Sequence, residues 1–359
     1  MNDPREGSQG PRFPPETLHT FIREVMKAVG VPSEDGDIVA HVLTEADLTG
    51  RHTHGISRLP LYVSRIQEGA MNPKPQLSWE EATFSPVRVL DGDNGLGSVA
   101  AWRAMEEAIA LSREYGLGCI AVRRSNHAGA MRVYCEAAAE HQQILIALTN
   151  SPPGIPPWGG RQAFLGTNPI AVAFPRGRGT APLVIDLATS VVARGHIIEA
   201  ARRGETIPEG WAIDAEGRPT TDPLAALQGA VLPMAGPKGY ALALMVEIFA
   251  GVLSGAGVGP GVANPYARGS GPSNVGHFFL ALNPRAFGAA NAIYDTLAVL
   301  EDQLRHVPPM PGHFVRLPSD RAEVVRQTYR VQGIPLDSAL VDALNMLARE
   351  CHAPLLRAE

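Results

Sequence analysis

Three short stretches place acid/base, cationic and small polar residues together: His52-Thr53-His54-Gly55-Ile56-Ser57-Arg58, Ser125-Asn126-His127-Ala128-Gly129 and Gly166-Thr167-Asn168-Pro169. They supply two candidate acid/base imidazoles, one guanidinium and a polar turn. That combination suits reduction of a carbonyl next to a carboxylate. An arginine grips a carboxylate through two parallel hydrogen bonds. A histidine gives or takes the alcohol proton near neutral pH. The hydride has to come from a bound cofactor, because no side chain supplies one.

The segment from Asp47 to Tyr62 carries the strongest signal. A helix ending near Gly50 would present His52, Thr53 and His54 on a turn. A helix from Ser57 onward would put Arg58 and Tyr62 on one face, four residues apart. The bland alternative is an arginine paired to a surface acid and a histidine that caps a helix. His52-x-His54 also resembles a zinc pair, which would still need a third ligand. His127 follows an apolar run, Cys119 to Val122, and strand ends in α/β proteins collect reactive groups. Thr149-Asn150-Ser151 and Asp186-Leu187-Ala188-Thr189-Ser190 close other such runs. Hydroxyls and amides there can hold ribose and phosphate, or serve only as turn formers. Neither Gly92-Asp93-Asn94-Gly95-Leu96-Gly97 nor Gly255 to Gly261 has the spacing of a dinucleotide fingerprint. Lys238-Gly239 opens a long apolar segment and joins an ammonium to a helix N-terminus, a better phosphate site.

The elements that must position these residues follow from periodicity. Helices are expected over Pro15 to Val29, over Asp37 to Leu48 with Ser33 as cap, and over Leu59 to Glu68 with Gly69 ending it. Asn72 to Pro75 reads as a linker. Helices at Ser98 to Tyr115, Arg132 to His141 and Gly239 to Leu253 alternate with strands. The strand candidates are Val87 to Leu90, Cys119 to Val122, Ile144 to Leu148, Ile170 to Phe174, Leu183 to Leu187 and His277 to Leu282. Gly255 to Pro272 is expected to be a loop with little structure of its own. Helices return at Phe287 to His306, Ala322 to Gln332 and Asp337 to Arg349. The fold class is α/β, a mixed-sheet core flanked by helices from both chain ends. Four parts are expected: a disordered leader over 1–14, a helical region over 15–75 with the substrate-facing segment, a central α/β cofactor-binding domain over 76–284, and C-terminal helices over 285–359 packing with the N-terminal part.

Composition narrows the class. Of 359 residues, 45% are hydrophobic and 19% charged, which marks a globular chain. A net charge of -5 leaves no basic field for nucleic acid. The three cysteines form neither a disulfide framework nor a metal motif and fit a reducing cytoplasm. Gly239 to Gly259 is long and apolar, but Glu247 interrupts it, so a buried core helix is expected rather than a membrane span.

With these motifs in order, the sequence resembles the malate/L-lactate dehydrogenase family of the second, non-Rossmann type. The matching stretches are ADLTGRHTHGISRLPLYVSRI, SNHAGA, TNSPPGIPPWGG, LGTNPIAVAFP, VIDLATSVVARG, IPEGWAIDAEGRPTTDP, PKGYALALMVEIFAGVLSGA and GHFFLALNP, from about Ala46 to Pro284. The resemblance implies an NAD- or NADP-dependent oxidoreductase, a homodimer, with a small 2-oxo or 2-hydroxy acid as substrate. It places His54, Arg58 and Tyr62 at the substrate, with Thr53 and Thr167 near it, and gives the proton to His127 or His54. Ser151, Asp186, Leu187, Ala188, Thr189, Ser190, Lys238 and Gly239 would hold the cofactor, and no metal is implied. Reduction of a cyclic imine carboxylate is the alternative within the class. A metal-dependent hydrolase or lyase using His52, His54 and His127 is the alternative outside it. The chain departs from the family pattern at Thr53, usually Ser. Ala128 is smaller than usual and would widen the pocket. Ala235-Gly236-Pro237 replaces a glycine pair. Pro318-Ser319-Asp320 stands where a Pro-Gly-Glu cofactor loop is usual, which leaves NAD or NADP open.

Overall fold

The computed structural model describes residues 10–80, 83–267 and 269–357. It begins with a short strand, β1 (Arg12–Phe13), then helices α1 (Pro15–Ala28) and α2 (Ser33–Leu48). Along α1, Leu18, Phe21, Ile22, Val25 and Met26 recur every three to four residues and are all buried, as one apolar stripe on a core-facing helix should be. Ser33 is not the cap expected of it. Pro32 occupies that position in extended backbone and the helix starts at Ser33. Two 3-10 turns, His52–His54 and Ile56–Arg58, lead into α3 (Leu59–Gln67). The disordered leader is corrected where it is described, because β1 pairs antiparallel with Ile334–Pro335 and Phe13 is buried. Residues 1–9 of that expected leader lie outside the described residues.

The sheet region runs through β2 (Ser78–Glu80), β3 (Val87–Asp91), α4 (Gly97–Tyr115), β4 (Leu117–Ser125), α5 (Met131–Glu140), β5 (Ile144–Thr149), β6 (Ile170–Phe174) and β7 (Leu183–Leu187). An insert follows: α6 (Arg194–Arg203), β8 (Ala212–Ile213), β9 (Pro219–Thr220), α7 (Pro223–Gln228) and β10 (Ala230–Val231). Its strands form their own sheet in the order β10-β8-β9. Then α8 (Pro237–Glu247) runs into a π-helical turn, Ile248–Val252, before β11 (Val275–Leu282). The rest is α9 (Ala290–Arg305), α10 (Asp320–Gln332), β12 (Ile334–Pro335) and α11 (Ser338–Glu350).

The main sheet has the order β2-β3-β4-β11-β5-β6-β7. Only β3 and β4 pair in parallel. Both β4 and β5 run antiparallel to β11 between them, and β7 is two reversals from β5. The C-terminal ends of β4, β5 and β7 therefore meet the start of β6 at one end of the sheet. All of the polar strand-end motifs lie there.

The centre of the sheet, β4, β11 and β5, is covered on both faces, which is why those strands read as continuous apolar runs. Strand β2 is exposed, and one face of β6 and β7 is only partly covered. Ile120, Val122, Phe279 and Ala281 share one core with α1, α2, α4 and α5, whereas Ala121 and Phe278 face Val246 and Ala250 on the other side. The insert has a separate core that includes Val192, Ile197, Ala212, Ala226 and Val231. The long apolar segment is only half a core helix. Ala243, Val246 and Ala250 point inward, but Leu244, Met245, Ile248, Val252 and Leu253 are exposed, because the sheet lies on one side of it alone. No helix among the described residues is long and apolar enough to cross a membrane.

Candidate active site

The His52 to Arg58 turn is built around one carboxylate. Asp47, near the end of α2, has a side chain only 2% exposed. Its Oδ1 lies 2.8 Å from His52 Nδ1, and its Oδ2 accepts the Ile56 N–H at 2.7 Å. A Cβ on Gly55 would lie 2.2 Å from that carboxyl group, so only glycine fits beneath it. The other nitrogen of His52 faces the Tyr329 hydroxyl at 3.5 Å. His52 is therefore a brace, and the zinc-like pairing with His54 does not form. Among the described residues no group of three or more His, Cys, Asp or Glu is placed to hold a metal.

The next residues converge on the ring of His127. His54 stacks on His127 with ring centroids 5.5 Å apart. The buried Tyr62 hydroxyl is 2.7 Å from His127 Nδ1, and the Gly129 N–H donates to the same nitrogen at 3.2 Å. A backbone N–H can only donate, so Nδ1 accepts and the neutral ring carries its proton on Nε2. His54 Nδ1 meets the Thr53 hydroxyl at 2.9 Å. Arg58 Nε donates to the Thr53 carbonyl at 2.5 Å. Its two terminal nitrogens have no partner among the described residues. Desolvation, then the charges of Arg58 and Arg51, push His54 down to about 3. Desolvation, Arg58, His54 and His277 hold His127 well below the ordinary imidazole range. Both rings are neutral at pH 7. Burial keeps Tyr62 protonated.

The residues expected to hold a cofactor line the same end of the sheet, in two groups. Ser151 Oγ accepts the Thr167 N–H at 3.1 Å. Asp186 faces Arg51 at 3.7 Å, next to the histidine turn, with Leu187 exposed and Ala188 half-buried beside it. Lys238 is exposed in the first turn of α8, whose N-terminus has no side-chain cap. Its free amides and Lys238 fit a phosphate. Thr189, Ser190 and Gly239 differ, because all three are buried. The Thr189 hydroxyl donates to the Thr167 carbonyl at 2.9 Å and Ser190 to the Val192 carbonyl at 2.9 Å. A Cβ on Gly239 would sit 2.1 Å from the Met234 carbonyl. These three shape the wall more than they face a ligand.

A family model for malate/L-lactate dehydrogenase matches residues 13–345. The chain belongs to this family. It is 40% identical over 330 residues to a (2R)-3-sulfolactate dehydrogenase (NADP(+)) of Chromohalobacter salexigens, covering 92% of this chain and 96% of that one. It is 36% identical over 322 residues to a ureidoglycolate dehydrogenase (NAD(+)) of Escherichia coli K12, covering 89% and 91%. The solved structure of sulfolactate dehydrogenase from Methanocaldococcus jannaschii superposes with a TM-score of 0.88 at 37% identity, covering 96% and 98%. The mixed α/β fold expected from the sequence is thus that of malate/L-lactate dehydrogenases.

The departures from the family pattern now have positions. Thr53 keeps the hydroxyl that meets His54. Ala128 does not widen the pocket, because its side chain is 2% exposed within the main core. Asp320 spends its carboxylate on Arg305, at 2.7 and 2.8 Å. The sequence reading missed the partners behind the motifs. His277 is fully buried, its Nδ1 2.8 Å from Thr149 Oγ1 and its Nε2 2.8 Å from Ser125 Oγ. It ties the ends of β4 and β5 across β11. Glu247 accepts from Asn168 Nδ2 and from the Gly259 N–H, both at 2.7 Å. The strand His277 to Leu282 gave only an apolar pattern, and nothing in it marked the histidine as a bridge.

Proposed function

We propose that this member of the family catalyses reversible oxidation at C2 of a small 2-hydroxy acid, with NAD or NADP. A nicotinamide held by Ser151, Asp186 to Ser190 and Lys238-Gly239 would supply or accept the hydride. Arg58 holds the substrate carboxylate through its two terminal nitrogens. His127 passes the proton at the C2 oxygen through Nε2. In reduction the ring must first be protonated. Desolvation is the main cause holding the imidazole neutral, and the Arg58 charge adds to it. The carboxylate offsets that charge, so binding favours protonation. Tyr62 lies 2.7 Å from Nδ1 and 3.3 Å from the His127 carbonyl. Its hydroxyl can donate to the carbonyl and accept from Nδ1 once the ring is charged. After Nε2 gives its proton to the C2 oxygen, the ring is left neutral with the remaining proton on Nδ1. Oxidation starts from that tautomer, with Nε2 taking the alcohol proton. His54 stacks beside it and is the second candidate for the proton. Ser151, Asp186 to Ser190 and Lys238-Gly239 border the cofactor, with Thr167 between cofactor and acid.

The observation that carries this reading is the Arg58 guanidinium. It is half-buried, pinned by one nitrogen, and leaves its bidentate edge without an acid beside two neutral histidines. In this reading residues 76–284 carry the cofactor and 15–75 with 285–359 close the substrate side; the His52–Tyr329 contact supports that division. A homodimer is part of the reading, supported by the exposed apolar face of Leu244, Met245, Ile248, Val252 and Leu253. A cytoplasmic location is too, since Cys119, Cys135 and Cys351 are all free thiols. The test is loss of absorbance at the reduced-nicotinamide band with NADH and NADPH in turn, against 2-oxo acids and cyclic imine carboxylates. Turnover of 2-oxo acids supports the reading. Turnover of imines alone, or of nothing while nicotinamide binds, overturns it.

A further inference from the structure

Arg58 is fixed at a second point. Its guanidinium carbon lies 5.8 Å from the ring centroid of Tyr266, over the ring face. Tyr266 belongs to the glycine- and proline-rich stretch expected to have little structure of its own, and the structure gives it more. The Ala263 N–H donates to the Ser273 carbonyl at 3.0 Å, closing the ends of an eleven-residue loop. Asn264 turns it inside: its side chain accepts the Tyr266 N–H at 3.0 Å and its carbonyl the Ala267 N–H at 3.1 Å. Loops whose ends touch in this way often carry function.

The loop is also anchored from the substrate side. Arg65 lies on α3, about two helical turns after Arg58, and is 1% exposed. One of its terminal nitrogens donates to Ser270 Oγ at 3.1 Å and the other to the Gly271 carbonyl. A buried cation is costly unless hydrogen-bonded, so this arginine ties the loop firmly to the helix that begins at the substrate-facing turn. The same helix thus contributes one arginine that holds the loop and follows another that the loop covers. Tyr266 itself is 64% exposed. Its ring therefore buries little of itself, and the contact recorded for it is the face it turns to the arginine.

We propose that Tyr266 is a positioning residue for the carboxylate clamp. This rests on the reading of Arg58 given above. With Nε held by the Thr53 carbonyl and one face held by the Tyr266 ring, the guanidinium plane is fixed. Only its bidentate edge stays free. The ring takes no part in the proton or hydride transfer. It lowers the entropy that Arg58 would lose on gripping an acid, and so acts on substrate binding and not on chemistry.

The test compares Tyr266→Ala, Tyr266→Phe and Arg58→Lys, singly and with Tyr266→Ala and Arg58→Lys combined, in steady-state kinetics of 2-oxo acid reduction. A cation–π contact of this kind corresponds to roughly a 2- to 30-fold change in binding. Tyr266→Ala is expected to raise KM for the acid by about that factor, leaving kcat and the nicotinamide KM nearly unchanged. Tyr266→Phe keeps the ring and should behave as the parent. In the Arg58→Lys background the effect of Tyr266→Ala should shrink, because the planar partner is gone. An unchanged KM in Tyr266→Ala overturns the proposal. So does equal damage from Tyr266→Phe, or an undiminished effect beside Arg58→Lys, which would mean that Tyr266 touches the substrate directly. Oxamate binding, titrated with nicotinamide present, gives a second readout. Arg58-dependent oxamate binding without turnover overturns the reaction but still tests Tyr266 through the same comparison of variants. A protein that neither turns over an acid nor binds oxamate overturns both.

Discussion

His127 and His277 flank one strand end and carry their protons on opposite nitrogens. His127 accepts at Nδ1 from Gly129. The Thr149 hydroxyl, which also lies 3.0 Å from the Asn150 and Gly276 carbonyls, must give its proton to a carbonyl and so accept from His277 Nδ1. His277 then accepts at Nε2 from Ser125. Among the described residues the first ring has no partner on Nε2 and the second is bonded at both nitrogens, which makes His127, and not His277, the candidate for proton transfer. Replacing His127 by Ala is expected to cost about 10²–10⁴-fold in turnover, and reduction should slow as pH rises because the transferred proton becomes scarce. Turnover in His127→Ala close to the parent's would move the proton to His54. Stability should follow the buried rings. Burial pushes His277 down to about 3 from an ordinary 6.5, and His54 likewise falls to about 3. Between those values the unfolded chain binds more protons than the folded one. Stability is therefore complete above about pH 6.5 and is lost as pH falls toward 3. Thermal melts should be flat above pH 7 and decline below 6.5, with a shallower decline in His277→Asn. A melting temperature independent of pH over that range would contradict neutral burial.

The bulge that seats His277 is the element on which the site depends. The register of β11 against β4 shifts between Val275 and His277. Gly276 sits in that step, where its N–H reaches Asn150 Oδ1 at 2.9 Å and an added Cβ would lie 1.8 Å from the Ala250 carbonyl. Bulges of this sort re-aim side chains near active sites. Gly276→Ala should cost about 1–3 kcal/mol of stability and lower kcat as well, measured by urea denaturation beside kinetics. A variant with the parent's urea midpoint would show that the turn can move aside. Elements of this length explain what could be read beforehand. α1, α4, β6 and β7 were legible because ten or more residues of one period, or a compact β-branched run between turns, outweigh local noise. The strands β8, β9 and β10 have two residues each, too few for any period, and α6 buries only Ile197. The candidate site was legible as motifs only in that the structure brings His54, Arg58, Tyr62 and His127 together; their roles belong to the proposal above. Asp47, Tyr266 and His277 were not, because a residue's role as a brace depends on partners far along the chain. Tyr266, for example, acts across more than 200 positions.

At the scale of the molecule, the exposed stripe on α8 and its π turn faces water with five large apolar side chains at helical spacing. Contiguous patches of that kind mark contact surfaces. On the homodimer proposed above, Val252→Asp is expected to yield a monomer by light scattering beside the parent, and an unchanged dimer would exclude this face. The interior has another consequence. Phe13 and Leu356 lie in the same core as the sheet, and Tyr329 of α10 packs on His52 with ring centroids 5.8 Å apart. The His52 turn is therefore finished by a residue made 277 positions later. At ribosomal speeds of roughly 5–20 residues per second, that wait lasts about 14–55 s. For that time the emerging chain holds an arginine and two histidines on a turn with one wall missing. A polypeptide released early would lack the Tyr329 contact on His52 and leave open the apolar surface that α10 covers. Such fragments should be prominent clients of chaperones and proteases.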